Sequence, residues 1–316
     1  MHIDSLWLWI GFHVFIMLML ALDLWVINPP GQEVPVKKAL RWSGVWIGLA
    51  ALFAAGIYAI SGTEKAMEFT AGYLIEKSLS VDNLFVFLAV FGYFKVEPRY
   101  QHKVLFWGVL GALVMRALFI VAGVTLLHEF HGIIYVFGVF LVFTGFRLMF
   151  QKEHGVEPEK NPVLRLLRRF VRVTRYYYGD RFFINKLGYT FATPLFAVLV
   201  LLETTDLVFA VDSIPAILAI SDDYFIVYTS NILAILGLRS LYFALAGILR
   251  IFHHLHHGMA VILIFIGVKM LLADLVKIPI AVALGVVVAI LAVSVLTSVL
   301  FPKKNAAADA LPQETG

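Results

Sequence analysis

The sequence predicts an all-α, polytopic membrane protein with about nine transmembrane helices and two inverted three-helix repeats. Three observations support this fold class. Of the 316 residues, 61% are hydrophobic and only 15% are charged, whereas a soluble domain is about 25% charged. The apolar residues fall into stretches of roughly 20 residues, the length that spans a bilayer. Two of those stretches carry the same spacing of acidic residues.

The predicted spans divide the chain, a single transmembrane domain over 1–316, into five parts. The spans lie at about 5–27, 40–60, 67–92, 104–127, 133–151, 190–220, 225–249, 257–275 and 279–301. The parts are two leading helices at 1–66, repeat one at 67–151, a basic loop at 152–189, repeat two at 190–275, and a last helix with its tail at 276–316. No cleavable signal peptide is expected, because the start has no basic region.

Basic residues concentrate in the connections on one side of the predicted domain. If the helices alternate, that side holds the loops near 29–41 and 93–103, the 152–186 loop and the carboxyl-terminal tail. The opposite connections hold little more than Lys65 and Lys277. We therefore expect the plasma (inner) membrane, with the amino terminus outside and the carboxyl terminus cytoplasmic. The 152–186 loop is either a solvated, topology-setting loop or an amphipathic helix on anionic lipid.

Composition and motifs exclude several kinds of chemistry. With no cysteine, the chain has no disulfide framework and no thiol for metal binding or redox chemistry. Its net charge of +4 lies in connecting segments, so no nucleic-acid partner is expected. The chain contains neither HExxH nor GxGD, and no GxxxxGK followed by Ser or Thr. We therefore expect neither an enzyme nor a bound cofactor.

Two acidic helices resemble each other. The stretches GYLIEKSLSVDNLFVF at 72–87 and ETTDLVFAVDSIPAILAI at 203–220 align so that three polar pairs match: Glu76 with Asp206, Asp82 with Asp212, and Asn83 with Ser213. The likeness continues in order: RALFIVAG from Arg116 resembles RSLYFALAG from Arg239, and FTGFR at 143–147 resembles FIGVK at 265–269. Because the predicted helices alternate in direction, the span at 67–92 and the span at 190–220 cross the membrane in opposite directions, so the two repeats are inverted. Inverted repeats recur in transporters, with the substrate site near the midplane.

Carboxylates occupy the middle of both helices, namely Glu76, Asp82, Glu203, Asp206 and Asp212. A charge at the centre of a spanning helix costs about 3 kcal/mol, so protonation, basic partners or a bound cation must offset the cost. Carboxylate, amide and hydroxyl oxygens without thiols suit hard cations, namely magnesium, calcium or manganese. The predicted metal ligands are Glu76, Asp82, Asn83, Asp206, Asp212 and Ser213.

The alternative interpretation is a structural network of these acids with basic partners. Arg116 and Arg239 are predicted to be structural counter-charges. Asp23 either belongs to the site or caps its helix or faces lipid. Glu203, one turn before Asp206, is a candidate for supporting a metal ligand or for carrying protons, and Asn231 either donates to the site or joins helices.

The acidic stretches, with TSNILAILGLRSLYF at 229–243 and LALDLWV at 20–26, resemble the TerC/Alx family of integral membrane proteins. The resemblance covers the chain from the first to the last predicted helix. It implies a nine-helix protein of the lysine-exporter-type superfamily, with manganese efflux, metal supply to exported proteins, and tellurium (tellurite) resistance in some members. The site residues that it implies are Asp23, Glu76, Asp82, Asn83, Asp206, Asp212 and Ser213.

Two function classes remain after these exclusions. The first is export of a divalent metal cation, with manganese as the substrate, by proton antiport through the midplane carboxylates; its partners are the ion and the lipid bilayer. The second is a membrane-stress, tellurite-resistance or assembly factor that supports metal supply to, or insertion of, other exported proteins. Four histidines lie close together at the predicted inner membrane face, namely His253, His254, His256 and His257. We interpret them as a hydrated cluster at the membrane interface rather than as a dedicated metal site.

Overall fold

The structure is a computed structural model that describes residues 6–22, 34–130, 132–150, 169, 171–174, 176–186, 189–246, 255–276 and 278–300. Within these ranges it describes every side chain except those of Asp82, Phe85, Asp212, Ala246, Leu255, His256 and Val299. Helices make up 83% of the structure, so the helical fold class is confirmed at that level.

The described elements follow the predicted spans closely. The helices are α1 Leu6–Leu22, α2 Val36–Tyr93, α3 Pro98–Glu129, α4 Ile133–Phe150, α5 Pro194–Leu218, α6 Tyr224–Leu236, α7 Leu238–Ala246, α8 Leu255–Leu271 and α9 Ile280–Leu300. Two short strands, β1 Phe183–Lys186 and β2 Tyr189–Ala192, pair antiparallel before α5.

Helix α2 contains two of the predicted spans. It has 58 residues, about 87 Å at about 1.5 Å per residue, which is far longer than the roughly 30 Å hydrocarbon core of a bilayer. Gly62 divides it with a φ of 86°. Only glycine adopts that left-handed backbone readily, so the residue separates the spans predicted at 40–60 and 67–92.

Within the described ranges, six segments are long and apolar enough to cross a membrane: Val36–Tyr93, Pro98–Glu129, Ile133–Phe150, Pro194–Leu218, Tyr224–Leu245 and Ile280–Ser298. Leu6–Leu22 and His257–Leu271 are shorter apolar helices. These segments support a multi-pass membrane protein, while the count of nine spans stays a prediction.

Three details of the prediction are corrected. The span expected from 190 begins at Pro194, because residues 189–192 pair as β2 and Pro194 stands at the first helical position. The protein is therefore mostly helical with one short pair of strands. The span expected at 225–249 is broken at Gly237, the C-cap of α6.

The described part of the basic loop packs against the helix ends. Tyr177 donates a hydrogen bond to the carbonyl of Phe94 at 2.8 Å, and Lys103 of α3 donates to Asp180 at 3.0 Å. That hydrogen bond lowers the pKa of Asp180. The described residues at 171–174, 176–186 and 189–192 therefore lie in strands, turns and irregular segments rather than in an amphipathic helix, whereas residues 151–168 lie outside the described ranges.

Burial places the α6–α7 segment at the centre of the bundle. Of its most apolar window 83% is buried, against 17% for α9. Apolar side chains of α2, α3 and α5 pack against it, whereas most apolar side chains of α4 and α9 are partly or fully exposed. Because lipid is the solvent for such faces, α4 and α9 lie at the periphery and any polar site belongs at the core.

Helices α4 and α8 meet through glycines. A Cβ at Gly145 would lie 2.8 Å from the carbonyl oxygen of Ala260, and a Cβ at Gly267 would lie 2.7 Å from that of Gly138. Early residues of α4 therefore oppose late residues of α8, so the helices are antiparallel. Small residues allow this close backbone approach in membranes.

The helices that carry the acidic repeats are also antiparallel. Gly72, early in this half of α2, lies against Ile217 near the end of α5. Asn83, later in α2, reaches Asp206 in the middle of α5. Helix α3 runs parallel to α5, because Gly111 lies against Glu203 and Gly123 lies against Leu218. The three helices thus bring their middle segments to one place.

Candidate cation site

Two predicted carboxylates meet at the middle of the bundle. Asp206 is the central residue of α5, which spans Pro194–Leu218, so it lies about 18 Å from either helix end. Glu76 faces it from α2, and the two side chains are joined through Arg116 of α3. Glu76 and Arg116 are fully buried and Asp206 is 5% exposed. A site at this depth matches the position expected for a transporter.

The guanidinium of Arg116 is the hub of the site. Its Nε donates to Oδ2 of Asp206 at 3.3 Å and its Nη2 donates to Oδ1 at 3.1 Å, so the ion pair is bidentate. Its Nη1 donates to Oε1 of Glu76. The predicted role of Arg116 as a counter-charge is confirmed, and one cation contacts two carboxylates at once, which the sequence did not indicate.

Amide and hydroxyl groups complete the first layer around the guanidinium. Nη1 of Arg116 lies 3.5 Å from Ser213 Oγ and 3.4 Å from Asn231 Oδ1. The Asn231 amide nitrogen donates to Oε2 of Glu76 at 3.0 Å. Helix α6 therefore contributes a side chain to this cluster, and the same hydrogen bond joins α6 to α2, so it fits both roles predicted for Asn231.

Asn83 and Ser80 extend the site along α2. The amide nitrogen of Asn83 donates to Oδ1 of Asp206 at 3.3 Å, and the hydroxyl of Ser80 lies 3.5 Å from Oε1 of Glu76. Asn83 is 1% exposed, and its Oδ1 has no hydrogen-bond donor among the residues that the structure describes. A buried oxygen without a donor costs about 1–3 kcal/mol, which a bound cation would offset.

The donor set suits a hard cation. The groups facing one another are carboxylate, amide and hydroxyl oxygens from α2, α5 and α6. Such oxygens bind magnesium, calcium and manganese rather than thiophilic metals. In the described part of the chain, no three His, Asp or Glu side chains are close enough to share a metal ion. Of the predicted ligand carboxylates, the described side chains that meet through one partner are those of Glu76 and Asp206.

The other predicted residues are placed only in part. Asp82 and Asp212 lie within α2 and α5, but their side chains are outside the described set, as is the whole of Asp23. Glu203 is half-buried one turn before Asp206, and its carboxyl group lies against Gly111 of α3. Of the histidine cluster, only the side chain of His257 is described, and it is exposed.

Lys77 does not contact the two carboxylates. Its ammonium donates to the carbonyl of Ala234 at 3.1 Å, and it lies beside Gly237, where α6 ends. A carbonyl in the last turn of a helix is a favourable partner for a cation. Lys77 therefore joins α2 to the break between α6 and α7.

A second polar cluster, which was not predicted from the sequence, lies two turns of α2 before Glu76. Glu68 is 6% exposed and accepts hydrogen bonds from Ser221 at 2.5 Å and from Lys65 at 3.0 Å. Lys65 also pairs with Asp223 at 3.3 Å, and Asp223 caps the start of α6. The cluster joins α2 to the connection between α5 and α6, at the end of the helices predicted to face outside.

Comparison with known proteins agrees with the family resemblance of the sequence. The model of the integral membrane protein TerC family matches residues 61–306. An uncharacterized membrane protein of Myxococcus xanthus is 46% identical over 303 residues, covering 96% of this chain and 95% of its own length.

Relatives in enteric bacteria are similar over nearly the same length. A protein of Escherichia coli K12, provisionally named the membrane-bound redox modulator Alx, is 47% identical over 293 residues, which is 90% of this chain and 91% of that protein. Its counterpart in Salmonella typhi is 46% identical over 298 residues, covering 92% of each. No solved structure matches. The chain therefore belongs to the integral membrane protein TerC family.

Proposed function

We propose that this chain is a transporter that exports a divalent metal cation, with manganese as its substrate, through the site around Glu76 and Asp206. The observation that carries the proposal is the meeting of oxygen ligands from several helices at the middle of the bundle. Two of them are carboxylates, and one is an amide oxygen that accepts no hydrogen bond from the described residues. Charged residues in the membrane interior are energetically unfavourable, and where they occur they mark ion pathways.

The oxygen ligands admit several hard cations, and the family resemblance implies manganese among them. The donors contain no sulfur, because the chain has no cysteine and the site no methionine. Calcium and magnesium share this preference for oxygen. A substrate comparison therefore has to include all three ions.

Two antiparallel helix pairs support an inverted repeat. The matched stretches FTGFR and FIGVK place Gly145 of α4 opposite Gly267 of α8 in the alignment. In the structure Gly145 lies against Ala260 and Ile264, and Gly267 lies against Gly138 and Val142. Each contact becomes the other when the aligned positions are exchanged, as a two-fold axis between α4 and α8 requires.

Reporter fusions test the inverted repeat. A reporter active only outside the cytoplasm should be inactive after Val90, near the end of α2, and active after Ile220, just beyond α5. A fusion after Glu129 is the matched control, because α3 runs parallel to α5 and should report the same side as Ile220. Equal activity after Val90 and Ile220 would remove the repeat.

The experiment that tests the proposed function is manganese flux. Purified full-length protein in sealed vesicles should move manganese faster than protein-free vesicles do, and excess magnesium or calcium should compete to different extents. If manganese flux in the protein-containing vesicles stays at the protein-free level, the proposal is wrong.

A second candidate function follows from the name of the E. coli relative, which is provisionally a redox modulator. This chain has no cysteine, so a redox effect would act through the metal supplied to other proteins rather than through its own thiols. That role, like the one of a membrane-stress or assembly factor, requires no ion flux through the purified chain. The flux assay therefore separates the two.

A further inference from the structure

The guanidinium of Arg116 stands where the proposed substrate would bind. It contacts both oxygens of Asp206, Oε1 of Glu76, the hydroxyl of Ser213 and the amide oxygen of Asn231. These are the oxygens that a hard cation would use. Arg116 is fully buried, so the protein carries its own cation at the centre of the site.

A metal ion and this guanidinium cannot occupy the same oxygens together. A divalent ion needs metal–oxygen distances of about 2.0–2.6 Å, and it would repel the guanidinium strongly in a site that excludes water. The Nη2 of Arg116 lies only 3.1 Å from Oδ1 of Asp206. Binding of a metal at Glu76 and Asp206 therefore requires the guanidinium to leave.

Glu203 is placed to receive the displaced guanidinium. It lies one turn before Asp206 on α5, and its carboxyl group packs against Gly111 of α3, between one and two turns before Arg116. Long side chains of a helix lean toward its amino-terminal end, so Arg116 extends in the direction of Gly111. Glu203 forms no ion pair with any residue that the structure describes.

We propose that Arg116 is a tethered cation that competes with the transported metal for the oxygens of Glu76 and Asp206, and that Glu203 holds its guanidinium while metal is bound. This inference rests on the proposed function. The competition keeps metal affinity low enough for release, since an ion site must bind well enough to fill and weakly enough to empty. It also means that the empty site never holds two unpaired carboxylates.

The test is a manganese titration of the purified full-length protein, with free manganese followed by electron paramagnetic resonance. Arg116→Gln should tighten manganese binding by about tenfold, within the usual range of coupling between two binding events, and should slow flux because release becomes slow. Glu203→Gln should weaken binding several-fold, because the guanidinium loses its second partner. In the Arg116→Gln background, Glu203→Gln should change affinity by less than about twofold.

If Arg116 only stabilises the fold, the manganese affinities of the variants change differently. Its loss would then weaken or leave unchanged the binding of manganese, and the effects of the two substitutions would add. Either result overturns the inference. If Arg116→Gln does not fold, Arg116→Lys provides the same test, because an ammonium makes fewer contacts and should also tighten binding; weaker or equal binding by Arg116→Lys contradicts the proposal.

Lys269→Met is the matched control. It removes another positive charge within the helices, one that donates to the carbonyl of Ala219 at 3.0 Å rather than to a carboxylate, and it should leave manganese affinity unchanged. The wild type separates the two levels of the proposal. A wild-type protein that neither binds nor moves manganese contradicts the proposed function. Manganese flux by the wild type, without tighter manganese binding in Arg116→Gln, contradicts only the proposal that Arg116 competes with the metal.

Discussion

Asp206→Asn and Glu76→Gln are each expected to reduce manganese flux to the level of protein-free vesicles. Each substitution keeps the shape of its side chain but removes one of the two carboxylates that meet at Arg116. Loss of a residue that only hydrogen-bonds to a metal ligand lowers metal affinity by about 10- to 100-fold. Loss of a charged ligand itself should therefore lower manganese affinity at least about 100-fold. The measurement is initial manganese flux in sealed vesicles, normalised to the amount of reconstituted protein.

Asp222→Asn is the matched control for these two variants. Asp222 is an exposed carboxylate in the connection between α5 and α6, and the change should leave flux intact. Both test variants should still fold, because Arg116 retains one carboxylate partner in each of them. Flux at the wild-type rate in both would exclude Glu76 and Asp206 as ligands of the transported ion.

The aligned acids Asp82 and Asp212 allow the same test in cells. Their helices are described although their side chains are not, so the expectation rests on their matched positions in the two acidic stretches. Asp82→Ala or Asp212→Ala should abolish protection of cells against excess manganese without lowering expression. Normal protection by both variants would contradict the prediction that the paired acids bind the transported manganese.

Manganese transport is expected to follow the proton gradient. Export against an inside-negative potential costs about 2.3 kcal/mol per charge per 100 mV, hence about 4.6 kcal/mol for a divalent ion. The sequence carries no phosphate-binding loop, so protons are the available source of energy. Arg116 supplies one positive charge for the two carboxylates of Glu76 and Asp206, so one proton can be held by that pair until a metal ion binds and displaces it. The groups proposed to exchange protons are Glu76, Asp206 and Glu203.

The measurement is manganese flux in sealed vesicles with the membrane potential clamped separately. Each proton exchanged per ion should shift the final manganese ratio about tenfold for a gradient of one pH unit. Reversing the gradient should reverse net flux, and an ionophore that collapses it should leave only downhill movement. Flux that ignores the proton gradient would mean a passive facilitator instead of an antiporter.

Composition and periodicity determined the membrane character and most helix positions, because a spanning helix must be apolar over its whole length in lipid. The predicted spans at 133–151 and 279–301 match α4 and α9 within a few residues. The strand before α5 was not predicted, because a pair of four-residue strands leaves no signal in an apolar window. The break at Gly237 was missed because hydropathy runs on through it.

The sequence by itself also determined which acidic residues are worth testing, since a carboxylate inside an apolar helix is unusual wherever the helix lies. Only the tertiary structure decided which of them meet. Glu76 and Arg116 are 40 positions apart, Arg116 and Asp206 are 90 apart, and Asn231 and Glu76 are 155 apart. Helical periodicity specifies which face of one helix a residue occupies, but it carries no information about which other helix packs there. The central place of Arg116 between two carboxylates follows from the packing of α2, α3 and α5.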